Sequence, residues 1–201
     1  MGTTIDVYGI FSAVVKSDTS ASYEAGANKQ LTSVASVSNA TTVNAFSGWY
    51  NGKRQEAINA EGDTVITVNG KDISGEYVAL MLGKKYDTES KMVLDDGTQN
   101  EAPYMTCSYA EVNTEGARLW QYLKGKWSLG AFEAGTKTDG GFDPKQITLT
   151  FNAVTTEHEF DASVYKEYDT DTDAWVAITG NKPVKSIYKD VTSAEYDTES
   201  A

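Results

Sequence analysis

A mainly β fold is predicted for this chain: an antiparallel β-sandwich or partial barrel with one short α-helix at about residues 73–82. Three observations carry that expectation. The dominant hydrophobic period is two, turn-forming pairs interrupt the apolar runs at short intervals, and one stretch alone stands out as helical. At 201 residues the chain has length for one domain, or two small ones, with a substantial core.

Thr64-Val65-Ile66-Thr67-Val68 alternates polar and apolar and reads as a strand with one buried face. The helix follows it. Asp72 or Ser74 can cap its first turn, because a side-chain oxygen there accepts from free backbone N–H groups. Ile73, Tyr77, Leu80 and Met81 form the apolar stripe. Gly83 suits a left-handed stop, and Lys84 and Lys85 come where positive charge favours the helix dipole. Residues 105–112 form another strand. Leu119-Trp120-Gln121-Tyr122-Leu123 is strand-like by its aromatics, and Gly125 before Trp127-Ser128-Leu129 predicts a bulge or bend. Gln146-Ile147-Thr148-Leu149-Thr150-Phe151-Asn152-Ala153 alternates without a fault, and residues 158–164 and 174–178 are shorter strands. Turns are expected at Asn51-Gly52, Asn69-Gly70, Asp96-Gly97, Glu115-Gly116, Asp139-Gly140-Gly141 and Asn181-Lys182-Pro183.

Composition narrows the function classes. With 40% hydrophobic and 23% charged residues the chain is not wholesale disordered. Lys and Arg total 17 against 29 Asp and Glu, a net charge of −12, which opposes tight binding to a polyanion. Residues 1–154 hold 13 basic and 18 acidic side chains, net −5, whereas residues 155–201 hold 4 and 11, net −7. The chain therefore divides into a main domain, 1–154, and an acidic C-terminal extension, 155–201, that forms either an arm or extra strands. One Cys and one His leave no internal disulfide and no closed Cys/His zinc site. No run of about 18 apolar residues exists to span a membrane as a helix. Met1 to Asp6 has an acid and no base, so no signal peptide is expected; Asp6 also breaks a myristoylation pattern. These features predict a cytoplasmic protein, or one that leaves by a route other than secretion.

Catalytic patterns are weak. His158 has no Gly-x-Ser-x-Gly partner and no second His four residues on. Ser163 with Lys166, and Ser186 with Lys189, would point to opposite faces of a strand. Asp169, Asp171 and Asp173 open like a calcium loop, but Ala174 and Gly180 replace its Gly and Glu, so a solvated acidic turn is expected. Neighbouring carboxylates able to hydrolyse a glycoside are present by number alone, and nothing singles out a pair. No Gly-x-x-x-x-Gly-Lys phosphate loop occurs, and Asn39-Ala40-Thr41 is a glycosylation sequon without a secretion signal. The expectation is a protein without catalysis, metal or cofactor.

Surface features are more informative. Residues 47–54 place Trp49 and Tyr50 beside Asn51-Gly52 and the cations Lys53 and Arg54, at the tip of a predicted hairpin. Either the aromatics fold back on their own sheet, or these six residues are subunit-interface anchors, since Trp, Tyr and Arg dominate binding hot spots. With unbroken alternation, Arg118, Lys124 and Lys126 share a face with Trp120 and Tyr122, as a solvated face or a cationic contact surface.

A family resemblance rests on several of these runs. Val7-Tyr8-Gly9-Ile10-Phe11-Ser12-Ala13-Val14-Val15, Ser22-Tyr23-Glu24-Ala25 and the small-residue run 31–38 are similar to the opening of major tail tube proteins of long-tailed, non-contractile (siphovirus-type) phages. So is the strand, acidic turn and short helix of residues 62–83. The clearest match is Thr114-Glu115-Gly116-Ala117-Arg118-Leu119-Trp120-Gln121-Tyr122-Leu123-Lys124-Gly125-Lys126-Trp127, followed by Gly135-Thr136-Lys137-Thr138 and Ile147-Thr148-Leu149-Thr150-Phe151-Asn152-Ala153. The resemblance covers residues 5–154, and residues 155–201 depart from it. It implies a virion structural protein of tail-tube β-sandwich type. Such subunits self-assemble in the host cytoplasm into stacked hexameric rings. The lumen holds a tape-measure protein and passes DNA, without specific binding, on genome ejection; tail tip and tail terminator proteins are implied partners. The competing expectation is a monomeric β-sandwich adhesin or carbohydrate-binding module, with Trp49 and Tyr50 as stacking platforms.

Overall fold

The computed structural model describes residues 4–50, 53–97, 102–130 and 146–192, with residues 4, 5, 46, 48–50 and 53–59 described by their backbone alone. The elements in chain order are β1 (Thr4–Ser12), β2 (Val15–Asp18), β3 (Tyr23–Ala25), β4 (Lys29–Thr32), β5 (Val34–Tyr50), β6 (Lys53–Gly70), α1 (Gly75–Leu82), β7 (Lys85–Asp87), β8 (Met92–Leu94) and β9 (Met105–Asn113). They continue with β10 (Gly116–Leu129), β11 (Ile147–Val154), β12 (Glu159–Asp161), β13 (Lys166–Asp169), β14 (Ala174–Ala177), β15 (Asn181–Pro183) and β16 (Ser186–Thr192). The protein is mainly β with one short helix, and every strand pair is antiparallel.

An eight-stranded sheet in the order β4-β1-β9-β10-β11-β6-β5 carries the core, with β16 also paired to β10. Its two edge strands, β4 and β5, are separated by Ser33 alone. The chain bends there and runs directly from one edge of the sheet to the other, and the Lys71 N–H donates to the Ser33 carbonyl at 2.9 Å. The sheet thus curls closed at this end. At the other end the edges part: residues Thr4 to Tyr8 of β1 pair with β9 only, and β5 and β6 run on as a pair where β6 has left β11.

Alternation builds the interior. Ile147, Leu149, Phe151 and Ala153 of β11 are buried while the residues between them face outward. Ile66 and Val68 of β6, Met105, Cys107 and Tyr109 of β9, Ile10 of β1, and Tyr122 and Trp127 of β10 meet them. Each large apolar side chain so removed from water contributes about 1.5–3 kcal/mol. The bulge expected near Gly125 is present: the β9–β10 register slips between Tyr122 and Gly125. A Cβ at Gly125 would overlap the Phe151 ring and the Asn152 carbonyl, so glycine is what lets β10 approach β11.

The helix is capped by Ser74, whose Oγ accepts from the Tyr77 N–H at 3.4 Å, and ends at Gly83 with φ 66°. Two expectations about it are corrected. Met81 and Ala79 are its buried residues, with Tyr77 and Ile73 packed beside them, while Leu80 is exposed. Lys84 and Lys85 do not serve the helix end; they reach Asp95 and Asp96 at 2.7 and 2.6 Å.

Turn expectations also need correction. Asn69-Gly70 ends β6 in register with β5 and β11, and Asn181-Lys182-Pro183 is strand β15. Both runs find cross-strand partners that override their local turn preference. Glu115-Gly116 does turn, with Asn113 Oδ1 accepting from both N–H groups at 2.8 and 2.9 Å. Asn51-Gly52 and Asp139-Gly140-Gly141 lie outside the described residues.

The acidic C-terminal segment has two parts. β16 joins the main sheet along Gly116 to Tyr122 of β10, end to end with β11, which pairs with Lys124 to Leu129. Before it, residues 156–184 fold as one ribbon. Its ladder runs through β12–β15 and β13–β14, and an irregular step at Ala162 to Tyr165 joins the two. The strand expected at 158–164 is therefore cut to Glu159–Asp161.

Candidate functional site

Two ribbons leave the closed sheet. In the first, β6 loses β11 after Thr64, yet β5 and β6 remain paired to Tyr50 and Lys53. Eleven further residues, about 35 Å of strand at roughly 3.3 Å each, run on with β5 as their only ladder partner. Trp49 stands opposite Arg54, and Tyr50 opposite Lys53, after a register shift at Gly48. The backbone therefore brings both aromatics and both cations together at the ribbon's end, while Asn51 and Gly52 between them are outside the described residues.

The second ribbon, residues 156–184, was not legible as a surface in the sequence. Val164, Tyr165, Tyr168, Trp175 and Val176 are all exposed on it, Val164 at 80% and Trp175 at 65%. The Tyr168 and Trp175 rings meet edge to face at 5.4 Å. Its turn is built by Asp169, whose carboxylate accepts from the Asp171 N–H at 2.9 Å and the Thr172 hydroxyl at 2.7 Å, and Asp173 accepts from the Tyr168 hydroxyl. The acidic triplet thus shapes a solvated turn. A Trp inside an acidic stretch was the available signal.

The root of this ribbon is held by a nearly buried ion pair. Asp18, at the end of β2, meets Lys124 Nζ at 2.6 Å, with side-chain exposures of 4% and 9%. The same carboxylate accepts from the backbone N–H groups of Glu157 and His158, each at 2.9 Å. Burial opposes ionisation of Asp18, but Lys124 and the two N–H groups outweigh it and hold its carboxyl below the ordinary carboxylate range. Burial likewise works against the charged Lys124, and Asp18 with Glu157 raises it above the ordinary lysine value. Tyr23 on β3 donates to the Leu123 carbonyl at 2.5 Å and stacks edge-on against Phe160 of the ribbon. Its hydroxyl is pushed up to about 12 by burial and by Asp18. His158 packs edge to face on Phe160 at 4.8 Å. Lys185 closes the gap between the two ribbons, donating to Glu61 at 2.6 Å and Thr64 at 3.2 Å.

The shared cationic face expected on β10 does not form. The bulge reverses the alternation, so Tyr122 before it and Trp127 after it both point into the core, and Lys124 and Lys126 lie on the opposite face over the Tyr104 ring at 4.8 Å. Arg118 is occupied by Asp190 of β16 in a two-point contact at 2.6 and 3.1 Å. An aromatic row accompanies it: Trp120 stacks on Tyr109 and Tyr122 at 6.3 Å and meets Tyr188 at a tilt, 4.9 Å between centroids. Among the described residues no three His, Cys, Asp or Glu side chains are grouped to hold a metal ion.

The arrangement is a packed body with two projecting ribbons, one basic and aromatic at its end and one acidic and aromatic. No protein-family model and no curated protein matches this chain.

Proposed function

We propose that the chain is a structural subunit of a phage tail tube, one copy of a hexameric ring that stacks into a hollow tube. In this reading the lumen holds a tape-measure protein and later conducts DNA. The ends of the tube meet tail tip and tail terminator proteins. The subunit is assembled in the bacterial host cytoplasm and ends in the virion. The observation that carries the proposal is that two ribbons run on from a well-packed body, each a strand pair with no further strand beside it among the described residues. A two-stranded ribbon alone is marginal in water, so a neighbouring copy is what each is suited to meet. The one-sided pairing of β1 from Thr4 to Tyr8 among the described strands adds a second contact edge. Unlike patches on identical copies repeat head to tail, closing into rings when the rotation allows and extending into tubes when it does not. A net charge of −12 suits a channel along which phosphate slides.

Negative-stain micrographs with sedimentation velocity on the concentrated protein test this. Six-membered rings or tubes are expected. Monomer at every concentration and salt tried ends the reading, and glycan binding by such a monomer would support the adhesin or carbohydrate-binding alternative.

A further inference from the structure

The C-terminal ribbon carries both a projection and a hollow. The projection is its tip, where the exposed Trp175 and Tyr168 stand opposite each other beside the acidic turn of Asp169, Asp171 and Asp173. The hollow is a cavity of about 760 Å³ at its root, between the ribbon and β16, lined mainly by Phe160, Val164, Tyr165, Ile178 and Ile187. Lys182 stands among the lining residues without an ion-pair partner among the described residues. Asp161, also on the lining, has its carboxylate engaged by the Ser163 N–H at 2.8 Å.

The tip cannot fill the hollow of its own chain. β13 and β14 are paired from Asp169 and Ala174 down to Lys166 and Ala177, and the Ile178 N–H donates to the Tyr165 carbonyl at 3.1 Å. That ladder holds the tip pointing away from the root. Apolar side chains this exposed and adjacent mark a contact surface on a soluble protein.

Resting on the subunit reading above, we infer that the tip of the C-terminal ribbon of one copy inserts into the root cavity of the C-terminal ribbon of a second copy. Trp175 is the anchor, since a buried aromatic removes 150–250 Å² from water. The acidic turn then lies over Lys182 at the cavity's rim, which sets the orientation. Projection and hollow are different surfaces, so each copy so engaged still offers one of each. The contact is heterologous and repeats.

Two single substitutions test it on the full chain. Ala174→Cys puts a thiol beside Trp175 at the tip, and Val164→Cys puts one at the exposed cavity rim. The natural Cys107 is fully buried, and burial raises its thiol far above the ordinary value, so it stays silent. Mixed under mild oxidation, the two variants are expected to form a disulfide-linked pair that neither forms alone. Adding Trp175→Ala to the tip variant should cut that yield about tenfold, the size of a modest hot spot. Linking of Ala174→Cys chains to one another as readily as in the mixture would mean tip meets tip, and overturns the inference. Rings or tubes from the unmodified chain with no link in the mixture overturn it too, while leaving the subunit reading intact. Monomer throughout, with no link, overturns both.

Discussion

The closed sheet and the C-terminal ribbon are built from the same antiparallel pairing and reach opposite results. Along β11 every second side chain is buried, from Ile147 to Ala153. Along β14 the residues Ala174 to Ala177 are all exposed. Ladder hydrogen bonds are present in both. What differs is whether a second layer of side chains exists to receive the apolar face. A strand pair with aromatics and no layer above it is a surface waiting for one.

The strongest way to break that contrast is in the body. Phe151→Ala removes a fully buried ring touching Tyr122 and Trp127, and should cost about 3–5 kcal/mol. Thermal unfolding should fall by roughly 10 °C for a chain of this size. A loss under 1 kcal/mol would show that the closed sheet is not the stability centre.

The boundary between the regions comes next. Asp18→Ala strips Lys124 of its near-buried partner and frees two ribbon-root N–H groups, and should cost about 3 kcal/mol. Hydrogen exchange at the Glu157 and His158 amides should quicken while the Phe151 and Leu149 amides stay slow. Equal quickening everywhere would mean that the root belongs to the body.

The same junction has a pH signature. The Asp18 carboxyl is depressed, so its contribution is complete above the ordinary value of 3.8 and is lost as pH falls through its lower folded value. At alkaline pH the sign reverses. Tyr23 and Tyr122 are each pushed up to about 12, so unfolded chains lose those protons first and stability should fall from pH 10 to 12. Lys124 adds to this above 10.5, where its raised folded value keeps it charged longer than an unfolded lysine. Denaturant midpoints across both ranges check this; a flat profile above pH 10 would contradict it.

The smallest stability effect is expected at the ribbon ends. Trp49→Ala should leave the monomer within about 0.5 kcal/mol of the unmodified chain and block polymerisation. Lys53→Glu with Arg54→Glu should weaken assembly less, and in a salt-dependent way, as rim charges do. Unfolding of Trp49→Ala would place that residue in a core instead.

Much of the body was legible before its structure was. The unbroken alternation of residues 146–153, a cap at Asp72 or Ser74, the Gly83 stop and a bulge or bend at Gly125 each follow from residues within a few positions of one another, and the folded chain chose Ser74 and the bulge. The bulge was legible, but its consequence was not: reversing the side-chain order turned Lys124 from an expected surface cation into a near-buried partner of Asp18. Asn181-Lys182-Pro183 resembled a turn because its partner strand, Glu159–Asp161, lies about twenty residues earlier.

Local patterning therefore settled the kind of structure: antiparallel strands, one short capped helix, and an acidic C-terminal segment. Closure of the sheet at Ser33, the end-to-end placement of β11 and β16 on β10, and the clamp of Asp18 on Lys124 across 106 residues came from the folded chain alone. Periods, caps and turns are energies of neighbours in sequence. Which edges meet, and which charges leave water together, depends on contacts between distant segments that no short window contains.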